Sequence, residues 1–288
     1  MPLQPCDNLR CPIDQHPMQQ TERQWRCPSG HSFDIARQGY VNLLPVQNKK
    51  SLDPGDSREM VDARRDFLNG GAYRAIADAI VHWANTAIPP QQALRILDAG
   101  CGEGYYLAEL CRALDHPRRQ IQACALDISK WAVRSAMQRD RGFTGIVASN
   151  RAVPLADASQ DLLLCLFGFP VFSEFARLLK PGAHLLMIDS GPDHLIELRR
   201  ALYDEVSSKA SSGGDLAEEQ IGRKVAEQRL TFRTRPLPAD TLAQLLQMTP
   251  HYFRATAAAR ERALALRAPE VSVDVTLRVY QKTVIATP

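Results

Sequence analysis

Two hydrophobic rhythms run along this chain. From residue 94 onward, short apolar runs bounded by Gly, Pro, Asp and Ser alternate with stretches whose apolar residues recur every three to four positions. LRILDAG (94–100) predicts a buried strand, EGYYLAELCRAL (103–114) a helix, IQACALDIS (121–129) a strand and KWAVRSAMQ (130–138) a helix. GIVAS (145–149) and DLLLCLF (161–167) add two strands. VFSEFARLLK (171–180) is a helix, and AHLLMID (183–189) a fifth strand after the turn KPGA. Strands that alternate with helices imply a parallel, doubly wound sheet. RLTFRTRPL (229–237) and VSVDVTLRVYQ (271–281) read as a closing antiparallel pair, with ADTLAQLLQM (239–248) a helix between them.

Upstream the pattern is weaker. Residues 1–34 are polar, with Cys, His and Pro but little periodicity, and read as a small stapled module. GYVNLLPVQNKK (39–50) is a short apolar stretch running into a polar loop. A helix should then begin, capped by Asp56 with Glu59 three residues later, as in a capping box. It presents Met60, Ala63, Arg64 and Phe67 on one face and stops at NGG (69–71). Another helix covers roughly 74–87, and SSKASSGGD (207–215) reads as a surface loop. The chain thus divides into a module at 1–34, a linking helical segment at 35–90 and a main domain at 91–288.

Composition narrows the class. A hydrophobic content of 45% supports a sizeable core, and 23% charged residues suits a soluble globular protein. No apolar run reaches the roughly 18 residues that span a bilayer, and MPLQPCDNLR lacks a signal-peptide core. No membrane association and a cytoplasmic location are expected. Seven cysteines, an odd number, fit reduced thiols better than a disulfide framework. The net charge of +3 does not announce nucleic-acid binding, yet the cations are 28 Arg against 7 Lys. Arginine suits phosphate and base contacts; a GC-rich genome gives the same bias.

The chemistry concentrates in LDAGCGEGYY (97–106), where Asp98 ends a hydrophobic strand and Gly100, Gly102 and Gly104 precede a helix. A dinucleotide site would show Gly-x-Gly-x-x-Gly, which seats a pyrophosphate on the helix terminus. Here the spacing is Gly-x-Gly-x-Gly, headed by an acid. That suits S-adenosylmethionine, which has no phosphate but carries a sulfonium and an amino-acid group. Asp127 ends the second strand, where an acid can accept both ribose hydroxyls, and ASNRAVPLAD (148–157) follows the third. A structural turn or an NAD site is the alternative. The ordered series resembles the class I methyltransferases, a Rossmann-like fold with a seven-stranded, mostly parallel sheet.

A second constellation lies at the start. Three residues separate Cys27 from His31, and in CPIDQHPM two residues separate Cys11 from Asp14, which stands where a zinc knuckle would have a second cysteine. Zinc accepts a carboxylate oxygen, so Cys11, Asp14, Cys27 and His31 remain a candidate structural zinc site, with Cys6 or His16 as possible substitutes. A metal-free knuckle held by packing is the alternative.

The longer words GHSFDIARQGYVNLLPVQNKKSLDPGDSREMVDARRDFLNGGAY (30–73), LDAGCGEGYY, GPDHLIELR (191–199) and LLQMTP (245–250) resemble the 23S ribosomal RNA guanine-N1 methyltransferases of the RlmA type. The resemblance covers nearly the whole chain. It implies a zinc-binding N-terminal module that helps engage an RNA hairpin, and cofactor contacts at Tyr73, Gly102, Glu103 and His194, beside Asp98, Gly100, Gly104 and Asp127. Phe167, Phe169 and Pro170, in LFGFPV, are the expected edge of the base pocket. There the chain departs from the more polar sequence of relatives. Asp14, in place of a zinc cysteine, is the other departure. A small-molecule methyltransferase and a non-catalytic RNA-binding relative are the competing readings. No catalytic base is assigned, and a homodimer is compatible with the pattern.

Overall fold

The computed structural model describes residues 3–48, 51, 53–90, 93–206 and 214–284. Three short strands, β1 (Gln19–Gln20), β2 (Gln24–Arg26) and β3 (Ser32–Asp34), form an antiparallel sheet in the N-terminal module. β4 (Tyr40–Asn42) follows, then α1 (Arg58–Asn69) and α2 (Arg74–Ala87). The alternating half comprises β5 (Leu94–Ala99), α3 (Tyr105–Ala113), β6 (Ile121–Asp127), α4 (Lys130–Arg139), β7 (Thr144–Val147) and β8 (Gln160–Leu166). It continues through α5 (Phe172–Leu178), β9 (Leu179–Ser190), α6 (Ile196–Leu202) and α7 (Gly214–Gln220). β10 (Lys224–Arg233), α8 (Ala239–Gln247), α9 (Pro250–Arg254), α10 (Ala257–Leu264) and β11 (Ser272–Gln281) complete the chain.

The main sheet runs β10-β11-β9-β8-β5-β6-β7-β4; its ladders are parallel from β9 to β4, and β11 runs antiparallel to both β9 and β10. It holds one strand more than the seven expected. β4 joins the edge beside β7, with Tyr40 opposite Gly145. Gly145 permits this approach, because a Cβ there would lie 3.0 Å from Tyr40 Cβ and 2.6 Å from Met137 Sδ. The central strands are buried on both faces, as their unbroken apolar runs require.

Three local expectations need correction. Ser57, not Asp56, caps α1: its Oγ accepts from the Met60 N–H at 3.3 Å, while Asp56 is drawn off to Arg64 Nη1. The KPGA turn does not precede β9 but lies within it. Gly182 takes φ +78°, and the register against β8 shifts between Gln160 and Leu162. Within SSKASSGGD, residues 207–213 lie outside the described residues, and Gly214 already begins α7.

The N-terminal segment packs on the sheet. Gln4 bridges to Gln122, Leu9 to Leu155, and Cys6 Sγ lies 2.7 Å from Cys124 Sγ on β6. Leu9, Met18, Trp25 and Val41 are buried in one cluster with Leu126, Ile146 and Leu155. The module is therefore fastened to the sheet by apolar burial as well as by its own turns. Among the described residues no helix is long and apolar enough to cross a membrane.

Candidate functional site

β5 and β6 deliver Asp98 and Asp127 to the same end of the sheet, in adjacent parallel register. Beyond Asp98 the chain turns through Gly100 (φ +96°) and Gly102 (φ +52°) to Gly104 (φ +82°), the N-cap of α3. These left-handed angles favour glycine. A Cβ on Gly104 would strike Ala136 Cβ at 2.9 Å, so this glycine serves packing against α4. A Cβ on Gly100 would meet nothing within 4 Å, so open space lies beside the backbone there.

The carboxylates around this loop sit in different environments. Asp127 Oδ2 accepts the Gly102 N–H at 3.0 Å and Oδ1 accepts the Ser129 N–H at 2.9 Å. Burial raises its pKa to about 6, and those two hydrogen bonds oppose the rise. Asp98 is 2% exposed and its Oδ1 has no partner. Burial first, then the Asp127 and Glu103 charges, push it to about 8, so it is largely protonated at neutral pH. Glu103 is buried and points toward α4, where Oε2 takes Arg139 Nε at 2.7 Å; Oε1 is unpartnered. Arg64 lies over the loop, with Nη1 2.5 Å from Asp56 Oδ2 and Nη2 donating to Met248 O at 2.9 Å.

An aromatic wall stands beside them. Tyr73 Oη lies 3.3 Å from His194 Nε2, and the Phe167 ring faces His194 at 6.0 Å and 29°. Tyr106 continues the wall 6.5 Å from Phe167. The Asp274 N–H donates to His194 Nδ1 at 3.3 Å. Burial lowers the His194 pKa to about 4, so the ring is neutral and carries its proton on Nε2, toward Tyr73. Burial likewise pushes the Tyr73 phenol well above its ordinary value.

The loop after β8 is exposed rather than core. Phe167 takes φ +54° and is 39% exposed, whereas Phe169 is 87% exposed and touches none of the wall rings. Pro170 is half-buried. Asn150 Nδ2 ties this loop to β5, donating to Ala99 O at 3.3 Å and Phe169 O at 3.5 Å, while its Oδ1 is unpartnered. Sequence reasoning assigned no site role to Asn150, Tyr106, Arg64 or Asp274. Only the positions of Tyr106 after the glycines and Asn150 after the third strand hinted at them.

A separate cluster sits in the module. Two tight turns carry it: Gln15 N–H to Cys11 O at 2.9 Å, and Gly30 N–H to Cys27 O at 3.0 Å with Gly30 at φ +90°. Asp14 Oδ1 accepts the His16 N–H, which aims Oδ2 inward. Cys11 Sγ to His31 Nδ1 is 3.6 Å, Cys27 Sγ to His31 Nδ1 3.4 Å, Cys27 Sγ to Asp14 Oδ2 3.4 Å, and His31 Nδ1 to Asp14 Oδ2 3.1 Å. A tetrahedral zinc with bonds of about 2.0–2.3 Å places neighbouring ligand atoms about 3.3–3.8 Å apart. The four ligand atoms, all within 4.8 Å of one another, fit a structural zinc. Cys6 is not a substitute, being engaged with Cys124; His16 stands outside the four, its Nδ1 3.0 Å from Ser29 Oγ and 3.3 Å from Asp14 Oδ2. Burial raises the Cys11 thiol to about 11, so a metal binding there displaces a proton.

A Rossmann-like sheet with an acid-headed glycine loop, joined to a Cys-Asp-Cys-His ribbon, defines an S-adenosylmethionine-dependent methyltransferase with a zinc-ribbon module. Comparison with known proteins agrees. Residues 9–52 match the RlmA N-terminal zinc ribbon, and residues 96–182 a methyltransferase domain. The 23S rRNA (guanine(748)-N(1))-methyltransferase of Streptomyces fradiae is 33% identical over 84% of each chain. A Micromonospora griseorubida protein named for 23S rRNA guanine-N(1) methylation is 36% identical over 66% of this chain and 68% of its own. YxjB of Bacillus subtilis (strain 168), named for the same reaction, is 28% identical over 88% of this chain and 89% of its own. The chain belongs to the 23S rRNA (guanine-N1)-methyltransferase family of the RlmA type.

Proposed function

We propose that this protein methylates N1 of a guanine in a 23S ribosomal RNA hairpin in the cytoplasm, with S-adenosylmethionine as donor. The observation that carries the cofactor assignment is a set of unpartnered buried polar atoms at the strand ends. Asp98 Oδ1, Glu103 Oε1, Tyr106 Oη and Asn150 Oδ1 lack hydrogen-bond partners, and buried polar groups rarely do without them. A ligand bearing an ammonium, a carboxylate, hydroxyls and an adenine would satisfy such a mixed set. The open space at Gly100 lets it lie against the backbone.

Residue roles follow from the hydrogen bonding. Each Asp127 oxygen already accepts one backbone N–H and keeps a lone pair for a ribose hydroxyl. His194 donates from Nε2 to Tyr73 Oη, which leaves the Tyr73 O–H free to donate to a carboxylate. Gly100, Gly102 and Gly104 shape the loop, Glu103 supplies negative charge behind it, and Asp98 supplies a carboxyl that ionises when a cation binds beside it. Bound S-adenosylmethionine supplies an electrophilic methyl on a sulfonium.

Phe167, with Phe169 and Pro170, edges the base pocket. Its half-exposed ring on the His194 face suits stacking of an extruded guanine. Alignment of the nucleophilic nitrogen is then the main contribution to rate. His194 does not serve as the base, because both ring nitrogens are engaged. Mass mapping of 23S ribosomal RNA from cells with and without the gene tests the reading. A methylguanosine should vanish from one fragment; an unchanged map sinks it.

A further inference from the structure

At the β4–β7 edge of the sheet lies a concavity of about 630 Å³. It opens between the zinc module and the β4–β7 edge. Two loops flank it, and both are held rigidly. The 36–39 turn is closed by Gly39 N–H to Ala36 O and Ala36 N–H to Tyr40 O, each 2.8 Å. The 140–142 loop is closed by Asp140 N–H to Ala136 O at 3.0 Å and Gly142 N–H to Asp140 Oδ1 at 2.8 Å.

Each loop carries one arginine into the lining, Arg37 on the first and Arg141 on the second. Both are exposed, and neither has an ion-pair or hydrogen-bond partner among the described residues. That contrasts with Arg64, Arg139, Arg177 and Arg229, which are paired with carboxylates. The lining adds the amides of Gln20, Gln38 and Gln138 and contains no acidic residue. Two unpaired guanidiniums facing one hollow, with amides between and no acidic side chain in the lining, is an arrangement for a polyanion that also offers hydrogen-bonding edges. The volume is that of a small-ligand site. A space of that size suits one or two nucleotides of a single strand and is too small for a duplex.

We propose that this cleft binds a single-stranded segment of the substrate RNA, remote from the methylated guanine, through phosphate contacts from Arg37 and Arg141. It rests on the reading that the substrate is RNA. Three strand spacings of about 4.8 Å separate β7 from β8, which leads into the Phe167 edge, so the cleft lies more than about 10 Å from the expected guanine site. The segment it holds is therefore not the reacting nucleotide. Its role is affinity and register on the RNA, while the strand-end site handles the methyl group.

The test compares the full-length protein with the Arg37→Gln, Arg141→Gln double variant on one 23S hairpin transcript, by binding across a salt series. Both side chains are exposed, so the fold should persist; unchanged S-adenosylmethionine affinity checks this. Each lost single-strand phosphate contact should reduce the slope of log affinity against log salt by about 0.7, giving about 1.4 for the pair. KM for RNA should rise roughly tenfold or more at moderate salt, with kcat unchanged at saturating RNA. A variant whose slope and affinity equal the wild type overturns the cleft's role while leaving the methyltransferase reading intact. A wild-type protein that neither binds nor methylates any 23S hairpin fails the parent reading instead. If AMP or inorganic phosphate stabilises the wild type but not the variant, with the RNA slope unmoved, the cleft is a small-anion site and the proposal is wrong.

Discussion

Tyr73 Oη and His194 Nε2 lie 3.3 Å apart although 121 residues separate them in the chain. Tyr73 ends the loop before α2, and His194 follows β9, so this contact fastens the segment preceding the sheet to the loop that overlooks its carboxyl end. The Asp274 N–H on β11 fixes the imidazole from its other side. A neutral, doubly engaged histidine is a positioning element here.

Replacing Tyr73 by Phe should leave His194 Nε2–H without a partner and remove the hydroxyl offered to the cofactor. Loss of one hydrogen bond to a charged group, about 1.5–3 kcal/mol, corresponds to a fall in S-adenosylmethionine affinity of about tenfold or more. Calorimetry on the folded variant measures this; an unchanged Kd removes Tyr73 from the cofactor's contacts.

Asp127→Ala should weaken the same ligand more, because two acceptor oxygens are lost along with their hold on the Gly102 and Ser129 amides. The expected loss is about 100-fold, from two charge-assisted bonds at the lower magnitude each. Equal affinities for variant and wild type would place the ribose elsewhere.

Asp98 sets a pH dependence. Unfolded, its carboxyl ionises near pH 4; folded, burial holds the proton to about pH 8. Between those values the unfolded chain binds fewer protons than the native one, so stability contributed by this group falls as pH rises from about 4 to 8. Asp98→Asn should flatten that slope in urea melts taken at pH 5 and pH 7.5. A cation bound beside Asp98 favours the ionised form. S-adenosylmethionine binding at pH 7 should therefore release a fraction of a proton, visible as buffer-dependent calorimetric heat and absent in the variant.

For the ribbon, elemental analysis of protein purified without chelator should give about one zinc per chain. Asp14→Cys should tighten binding, since thiolate is the softer ligand, and a chelator should lower the melting temperature. Absence of zinc from the wild type, or an unaltered affinity in the cysteine variant, would remove Asp14 from the ligand set.

Most of the sheet was legible because its strands are buried on both faces and read as unbroken apolar runs between turn residues. The helix at 74–87 was legible from its periodicity and occurs over those residues. β4 was not, since three residues are too few to show a rhythm, and its pairing depends on Gly145 from a distant strand. KPGA misled because a bulge absorbs what propensity assigns to a turn. The ends of β5 and β6 betrayed Asp98 and Asp127 through the glycines and acids themselves. Tyr106, Asn150 and Arg64 were hidden, because burial without a partner, or a place over the loop, arises only on folding. Phe167 and Phe169 looked equivalent in LFGFPV. The positive φ of Phe167 turns one ring onto the His194 wall and leaves the other in solvent.

The most direct test of the central claim is nucleoside analysis of a 23S-derived hairpin after incubation with the purified protein and isotopically labelled S-adenosylmethionine. Digestion and mass spectrometry should return labelled 1-methylguanosine from a single position, approaching one methyl per hairpin. RNA recovered without label, or with label on another atom or base, would contradict the account.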